Sequence, residues 1–226
     1  MIKRFFFLFS FIGVLVGGIN SQSQFKPEWN FGVGFGPTFS SMSFEQPKVK
    51  TQSFTQYHGG IAVRYLSEKN LGVIGELNYS QQGWEGKFMD HPDYSHSHTL
   101  TYIELPVLTH IYFGNKVRFF INLGPKIQFL LGEKEELSDA LANAVANGEA
   151  EVNTPQYNRD VERKFDYGIM GGMGLELRTK IGNFSLEGRY CFGLGDIYDN
   201  RRRDNNFGRS ANRVMSAKLT YYVKIF

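Results

Sequence analysis

The sequence predicts an all-β fold: an eight-stranded antiparallel up-and-down transmembrane β-barrel with short periplasmic turns and long extracellular loops. Three observations carry the prediction. Apolar residues recur at every second position through most of the chain. The connections between these segments are alternately short and long. The chain opens on a leader-like segment, yet nothing after residue 23 approaches the 18 or so apolar residues of a membrane helix.

Composition narrows the class. The 226 residues suit one domain, or barely two. With 25 basic and 22 acidic residues the net charge is +3, so no strong field points to a nucleic-acid partner. A single Cys excludes an intrachain disulfide framework. Aromatics are abundant, at 21 Phe, 12 Tyr and 2 Trp, and so is Gly at 25. The mean hydropathy of −0.31 excludes a helical membrane protein, but a strand that alternates hides its apolar face in such an average.

Residues 1–23 read as a cleaved secretory signal, leaving 24–226 as one barrel domain. Lys3 and Arg4 form the positive start, Phe5 to Ile19 is an apolar run of 15 residues, and Ser21 and Ser23 are small residues at the −3 and −1 positions. Without Lys3 and Arg4 the remainder holds 23 bases against 22 acids.

Eight strands follow in order, each long enough for a tilted crossing of about 9–11 residues. The first four lie at roughly 29–39, 57–66, 71–83 and 99–113. In the fourth, Ile103, Leu105, Val107 and Ile111 oppose Tyr102, Glu104 and His110. In the fifth, Val117 to Leu131, the odd positions are apolar, while Arg118, Asn122, Gly124, Lys126 and Gln128 lie opposite, with Phe120 and Leu130 as exceptions. The sixth sets Phe165, Tyr167, Ile169, Met173, Leu175 and Leu177 against Asp166, Glu176, Arg178 and glycines. The seventh, Phe184 to Leu194, alternates most cleanly, with Glu187, Arg189 and Cys191 on the polar or small face. In the eighth, Met215, Leu219, Tyr221 and Val223 oppose Ser216, Lys218 and Thr220. Short turns follow strands two, four and six. Long loops, near 40–56, 84–98, 132–162 and 195–211, follow strands one, three, five and seven.

Aromatics on the apolar face gather at both strand ends. Trp29, Phe31, Tyr65, Phe113 and Phe184 mark the short-turn end; Phe39, Tyr57, Tyr79, Phe129, Phe165 and Phe192 mark the long-loop end. Two girdles are what a bilayer with two interfaces selects. The polar face carries Glu76, Glu104, Asp166, Glu176 and Glu187 with Arg64, Arg118, Lys126, Arg178, Arg189 and Lys218. An eight-stranded barrel has room inside only for side chains, so these charges are expected to pair as a packed lumen rather than line a pore. Pro37, Pro106 and Pro125 fall inside strands, where each removes a ladder donor, and bulges are the expected remedy.

The run Tyr102-Ile103-Glu104-Leu105-Pro106-Val107-Leu108 is followed by a Gly-Asn turn and by Asn122-Leu123-Gly124-Pro125. Together with Phe31-Gly32-Val33-Gly34-Phe35-Gly36 near the start, these residues resemble the PorT-like outer-membrane β-barrel family of Bacteroidetes-type bacteria, over most of residues 25–226. The resemblance implies an eight-stranded barrel in the outer membrane of a Gram-negative bacterium. The family's namesake serves a protein secretion system, and carrying that role over rests on fold alone. The terminal Phe226 resembles the aromatic end read by barrel-assembly machinery, although it is out of phase with Ile225, Val223 and Tyr221.

Residues able to carry chemistry are few. No catalytic set and no cofactor site stands out. Glu104 and His110 share one face, but six strand residues separate them by roughly 20 Å. His91, His96 and His98 lie in a segment read as a solvated loop and are a weak metal-ligand candidate, since their spacing matches no structural zinc motif. Arg201, Arg202 and Arg203 make the last long loop basic, which suits either a merely solvated loop, diluted by Asp199 and Asp204, or a contact with lipopolysaccharide phosphates. Within Glu133 to Asn147, the spacing of Leu137, Leu141, Ala144 and Val145 predicts a short helix that covers the barrel mouth.

The expected role is that of a non-enzymatic outer-membrane barrel acting structurally or through surface interactions of its loops. Expected partners are outer-membrane lipid and lipopolysaccharide, the barrel-assembly machinery, and an extracellular or secretion-system protein. Three other readings stay open: a soluble lipocalin-like barrel with a small hydrophobic ligand, a secretion-system accessory barrel, and a lipid-modifying barrel enzyme.

Overall fold

A computed structural model describes residues 25–43, 51–52, 54–86, 93–147, 164–195 and 211–225. Eight long strands form the wall: β1 Glu28–Ser43, β2 Phe54–Glu68, β3 Leu71–Gly86, β4 His96–Gly114, β5 Val117–Leu137, β6 Phe165–Thr179, β7 Gly182–Gly193 and β8 Ala211–Lys224. Each pairs antiparallel with its sequence neighbours, and β1 pairs with β8, so the sheet closes without an edge. The seam keeps one register along its length and is finished by the Ile225 N–H donating to the Trp29 carbonyl at 2.8 Å. Closure is what a bilayer demands, because an open edge would leave backbone groups unsatisfied in hydrocarbon.

Local chemistry sets the three tight turns. β2–β3, β4–β5 and β6–β7 are each joined by two residues. Each turn, or the strand end that adjoins it, has one residue with positive φ: Asn70 at 76°, Gly114 at 105° and Gly182 at 145°. Those are residue types that tolerate it.

The alternation of the sequence becomes inside against outside. Val33, Ile61, Val73, Ile121, Leu175 and Leu219 point outward and are exposed, while the intervening residues are buried. A continuous apolar exterior around a polar interior is the reverse of a soluble ligand-binding barrel, and the lipocalin-like reading fails on it.

Two expectations are corrected. The prolines are not met by bulges. At Pro37 the β1–β8 ladder skips from Phe35↔Leu219 to Thr38↔Ser216, at Pro125 the β4–β5 ladder skips from Pro106↔Lys126 to Thr109↔Leu123, and at Pro106 the β3–β4 ladder skips from Gly75↔Val107 to Asn78↔Glu104. Register is unchanged across each gap, so the missing donors simply leave two pairs unmade at each. Gly124 sits in the second gap, where an added Cβ would lie 2.0 Å from the Val107 carbonyl oxygen.

The strands also run further than expected at the extracellular end. β4 and β5 have 19 and 21 residues, about twice what a crossing needs. His96–His98 pair with Glu135–Leu137, both segments that the sequence assigns to loops. The helix accordingly shrinks to α1, Asp139–Ala146, because Glu133–Leu137 is taken by the sheet. Ser138 caps α1, accepting from the Leu141 N–H at 3.4 Å and from the Ser95 N–H at 3.1 Å. Leu141 and Ala144 bury their side chains against Tyr94, Leu137 and Val145. Residues 1–24, Phe226, His91 and Arg201–Arg203 lie outside the described residues, and with them the expected signal segment, assembly signal and lipopolysaccharide contact.

Candidate functional site: the charged lumen and the mouth above it

The lumen is built from the inward positions of all eight strands. Glu76, Glu104, Asp166, Glu176 and Glu187, and Arg64, Arg118, Lys126, Arg189 and Lys218, are all buried. These are five acids and five bases. Arg178, the eleventh predicted member, is half-buried at the periplasmic rim instead. There it meets Glu28 at 3.4 Å, as does Lys224. Glu28 was missed because it precedes the alternating run.

The central group is the densest. Glu76 takes a bidentate pair from Arg189, at 2.7 and 2.8 Å, and Lys218 Nζ at 2.8 Å. Lys218 also donates to Asn78 Oδ1 at 2.9 Å. Arg189 reaches Glu187 at 2.7 Å, and Glu187 accepts from Asn122 at 2.8 Å. Glycine makes the space: a Cβ on Gly172 would stand 2.3 Å from Glu187 Oε1. Fork-shaped pairs with further hydrogen bonds are the geometry in which attraction can offset the cost of burying charge.

Toward the periplasm, Glu176 is shared by Arg64 and by Arg118, the latter at 3.4 Å. The two guanidinium groups lie over the Tyr222 and Tyr112 rings, 4.1 and 4.3 Å from the ring centres. Below them Leu66, Tyr112 and Phe120 form an apolar floor against Phe25. Phe120 therefore keeps phase with the lumen; it departs from the pattern only in polarity.

Toward the cell exterior, Glu104 accepts from Lys126 at 2.9 Å and from Gln82 at 2.6 Å. Asp166 has amide partners here, Gln128 at 2.8 Å and its neighbour's Tyr167 N–H at 2.7 Å. His110 bonds Asn122 at 2.7 Å and does not meet Glu104. A cavity lined by Thr38, His58, Ser80, Glu104, Lys126 and Cys191 has a volume of about 10 Å³, room for one water.

The predicted girdle residues all face outward, with Tyr65 half-buried and the others exposed. Trp29 packs on Tyr65 at 4.6 Å and Phe184 on Tyr221 at 4.9 Å at one end, and Phe129 packs on Phe165 at 5.1 Å at the other. Tyr221 is a girdle member absent from the sequence reading. Its hydroxyl donates to the Ile181 carbonyl of the last tight turn.

The mouth corrects the solvated-loop expectation most sharply. His96 and His98 lie on β4, face inward and are 1% and 3% exposed. They keep the even-numbered inward phase of Tyr102, Glu104 and His110, and a bulge in β5 turns carboxylates toward them. Thr101 pairs with Gly132 but Tyr102 pairs with Leu130, so Leu131 has no partner and the phase of β5 flips beyond it. Glu133 and Glu135 then turn toward the histidines. His96 Nε2 lies 2.8 Å from Glu135 Oε1, and His98 Nε2 lies 3.1 Å from Glu133 Oε2. Trp84, buried on β3, stacks on the His98 ring at 4.5 Å. Burial pulls the His96 pKa below its usual value, against the opposing hydrogen bond from Glu135.

A closed, eight-stranded, apolar-faced wall with interfacial aromatics is the geometry of an outer-membrane barrel, and residues 20–199 match the family model described as outer membrane protein beta-barrel domain. The chain belongs to that family. The family places it in the outer membrane of a Gram-negative bacterium. Among solved structures it is similar to the outer membrane protein OprG from Pseudomonas aeruginosa, with a TM-score of 0.52 and 12% identity over 87% of this chain and 96% of that one. It is also similar to Ail of Yersinia pestis (TM-score 0.42, 11% identity, 87% and 99% covered) and to Neisserial surface protein A (TM-score 0.41, 13% identity, 84% and 96% covered). At 12% identity the likeness to OprG speaks for the fold alone. No curated protein matches the sequence.

Proposed function

We propose that this family member is a non-enzymatic barrel with a closed lumen, whose specific role lies in surface interactions of its extracellular end. One observation carries the reading: the ten buried lumen charges balance, and acids and bases from seven different strands meet across the interior. A wall so cross-linked leaves no continuous path for a solute, so function moves to the ends. The described carboxylates of the lumen are held by Arg, Lys and amide groups, and His110 bonds Asn122 rather than Glu104, which favours a non-catalytic role. The Tyr102–Leu108 run and the Asn122–Pro125 motif favour a place among PorT-like barrels, with a secretion-system accessory role as the second reading.

Liposomes carrying the purified protein test the closed lumen. They are expected not to swell in small sugars; swelling at porin-like rates defeats the reading. Shortening the loops near 40–56 and 195–211 should leave barrel assembly intact and remove binding of envelope or extracellular partners in a crosslinking comparison. Unchanged crosslinks would argue against a loop-borne role. For the enzymatic alternative, Glu104→Gln combined with His110→Ala should change no lipid; a lipid turnover that this pair abolishes would reverse the assignment.

A further inference from the structure

The bulge at Leu131 does more than bend a strand. It brings to one side of the sheet two histidines spaced i, i+2 on β4 and two glutamates spaced i, i+2 on β5. Ligand atoms of His96, His98 and Glu135 all lie within 4.8 Å of one another, near enough for one ion to touch all three. Glu133 adjoins them through its contact with His98.

The place is outside the membrane. Ile103 of β4 pairs with Phe129 of the outer girdle, and His98 lies five residues beyond it, roughly 16 Å along the strand. The site thus stands in the overhang that β4 and β5 extend past the bilayer.

We infer that His96, His98 and Glu135 form a binding site for a divalent transition-metal ion at the extracellular mouth, with Glu133 as the positioning carboxylate for His98. Two imidazoles and a carboxylate are the donor set that Zn²⁺, Cu²⁺ and Ni²⁺ share, whereas Ca²⁺ and Mg²⁺ require oxygen ligands. Three protein ligands leave a coordination position for water or for a group of a partner. The carboxylate beside His98 matches the second-sphere pairing that fixes a ligating histidine. Bound metal would clip the far ends of β4 and β5, which are joined covalently only at their periplasmic turn. It would hold the platform on which Ser138 caps α1.

The molecule supplies its own reporter. Of its two tryptophans, Trp84 stacks on His98, and Trp29 lies at the opposite end of the barrel. The experiment uses the untagged full chain with Trp29→Phe, folded in detergent micelles and titrated with CuCl₂. The expected result is saturable quenching of Trp84 at one ion per chain, reversed by ZnCl₂ in competition. His96→Ala with His98→Ala should weaken binding by more than the roughly 10–100-fold that loss of an outer-sphere partner costs. Heat-modifiable gel mobility reports whether the double variant still forms the barrel. If it does not, Glu135→Gln, which keeps the side chain's shape, carries the test and should weaken binding too. Quenching that does not saturate, or equal affinity in the folded variants, overturns the site. Quenching that persists with Trp84→Phe in place of Trp29→Phe does so as well.

Discussion

The lumen at membrane level and the mouth above it follow the same two-residue period, yet they use charge in opposite ways. In the lumen, carboxylates are met by Arg and Lys: Glu76 by Arg189 and Lys218, Glu176 by Arg64 and Arg118, Glu104 by Lys126. In the mouth, the carboxylates of Glu133 and Glu135 are met by histidines. Permanent cations make a permanent lock, suited to a wall that must stay closed. Imidazoles make contacts that a proton or a metal ion can alter. The difference separates a part built for stability from a part able to respond.

The largest effect should come from breaking the lock. Glu76→Ala leaves Arg189 and Lys218 without their shared carboxylate and should cost about 3–5 kcal/mol, since an uncompensated buried charge remains. Unfolding in urea from lipid vesicles measures it. A loss below 1 kcal/mol would mean that the lumen is wetter and looser than its contacts imply.

Packing at the proline gap comes next. Gly124→Ala brings a methyl group against the Val107 carbonyl, and the crowding should cost about 1–3 kcal/mol in the same assay. Gly132→Ala is the control, because an added Cβ there has open space within 4 Å.

At the girdle, Tyr221→Ala removes a ring packed on Phe184 and a hydrogen bond to the last tight turn. A destabilisation of about 1–2 kcal/mol is expected, from the ring pair and one net hydrogen bond.

The smallest effect lies in the mouth. His96 has a pKa lowered by burial, so its neutral form is the one the folded mouth favours. The stability this contributes is present above the unfolded value of about 6.5 and is lost as pH falls below it. Hydrogen exchange should therefore quicken at the ends of β4 and β5 on acidification from pH 7.5 to 5.5, while the amides around Glu76 stay protected. Equal loosening of both regions would erase the distinction drawn between them.

The same contrast explains what was legible in the sequence. Alternation alone placed ten of the lumen charges and both girdles, because within the membrane every residue must face either lipid or lumen. The outlying Arg178 shows where that rule stops: at the rim a long side chain can turn to a partner such as Glu28 that lies outside the pattern. Above the membrane the constraint relaxes, and polar residues on both faces made strands look like loops. The bulge at Leu131 then reversed the phase of Glu133 and Glu135, and no single-strand count reveals a bulge. The histidines were visible as residues, but their carboxylate partners come from another strand about 40 positions away.

Single-channel recording in planar bilayers bears most directly on the central claim of a lumen locked by paired charge. The unmodified protein should give no large, stable openings at moderate voltage, and Glu76→Ala, if it still inserts, should begin to flicker. Large, stable openings of the unmodified protein would contradict the lock.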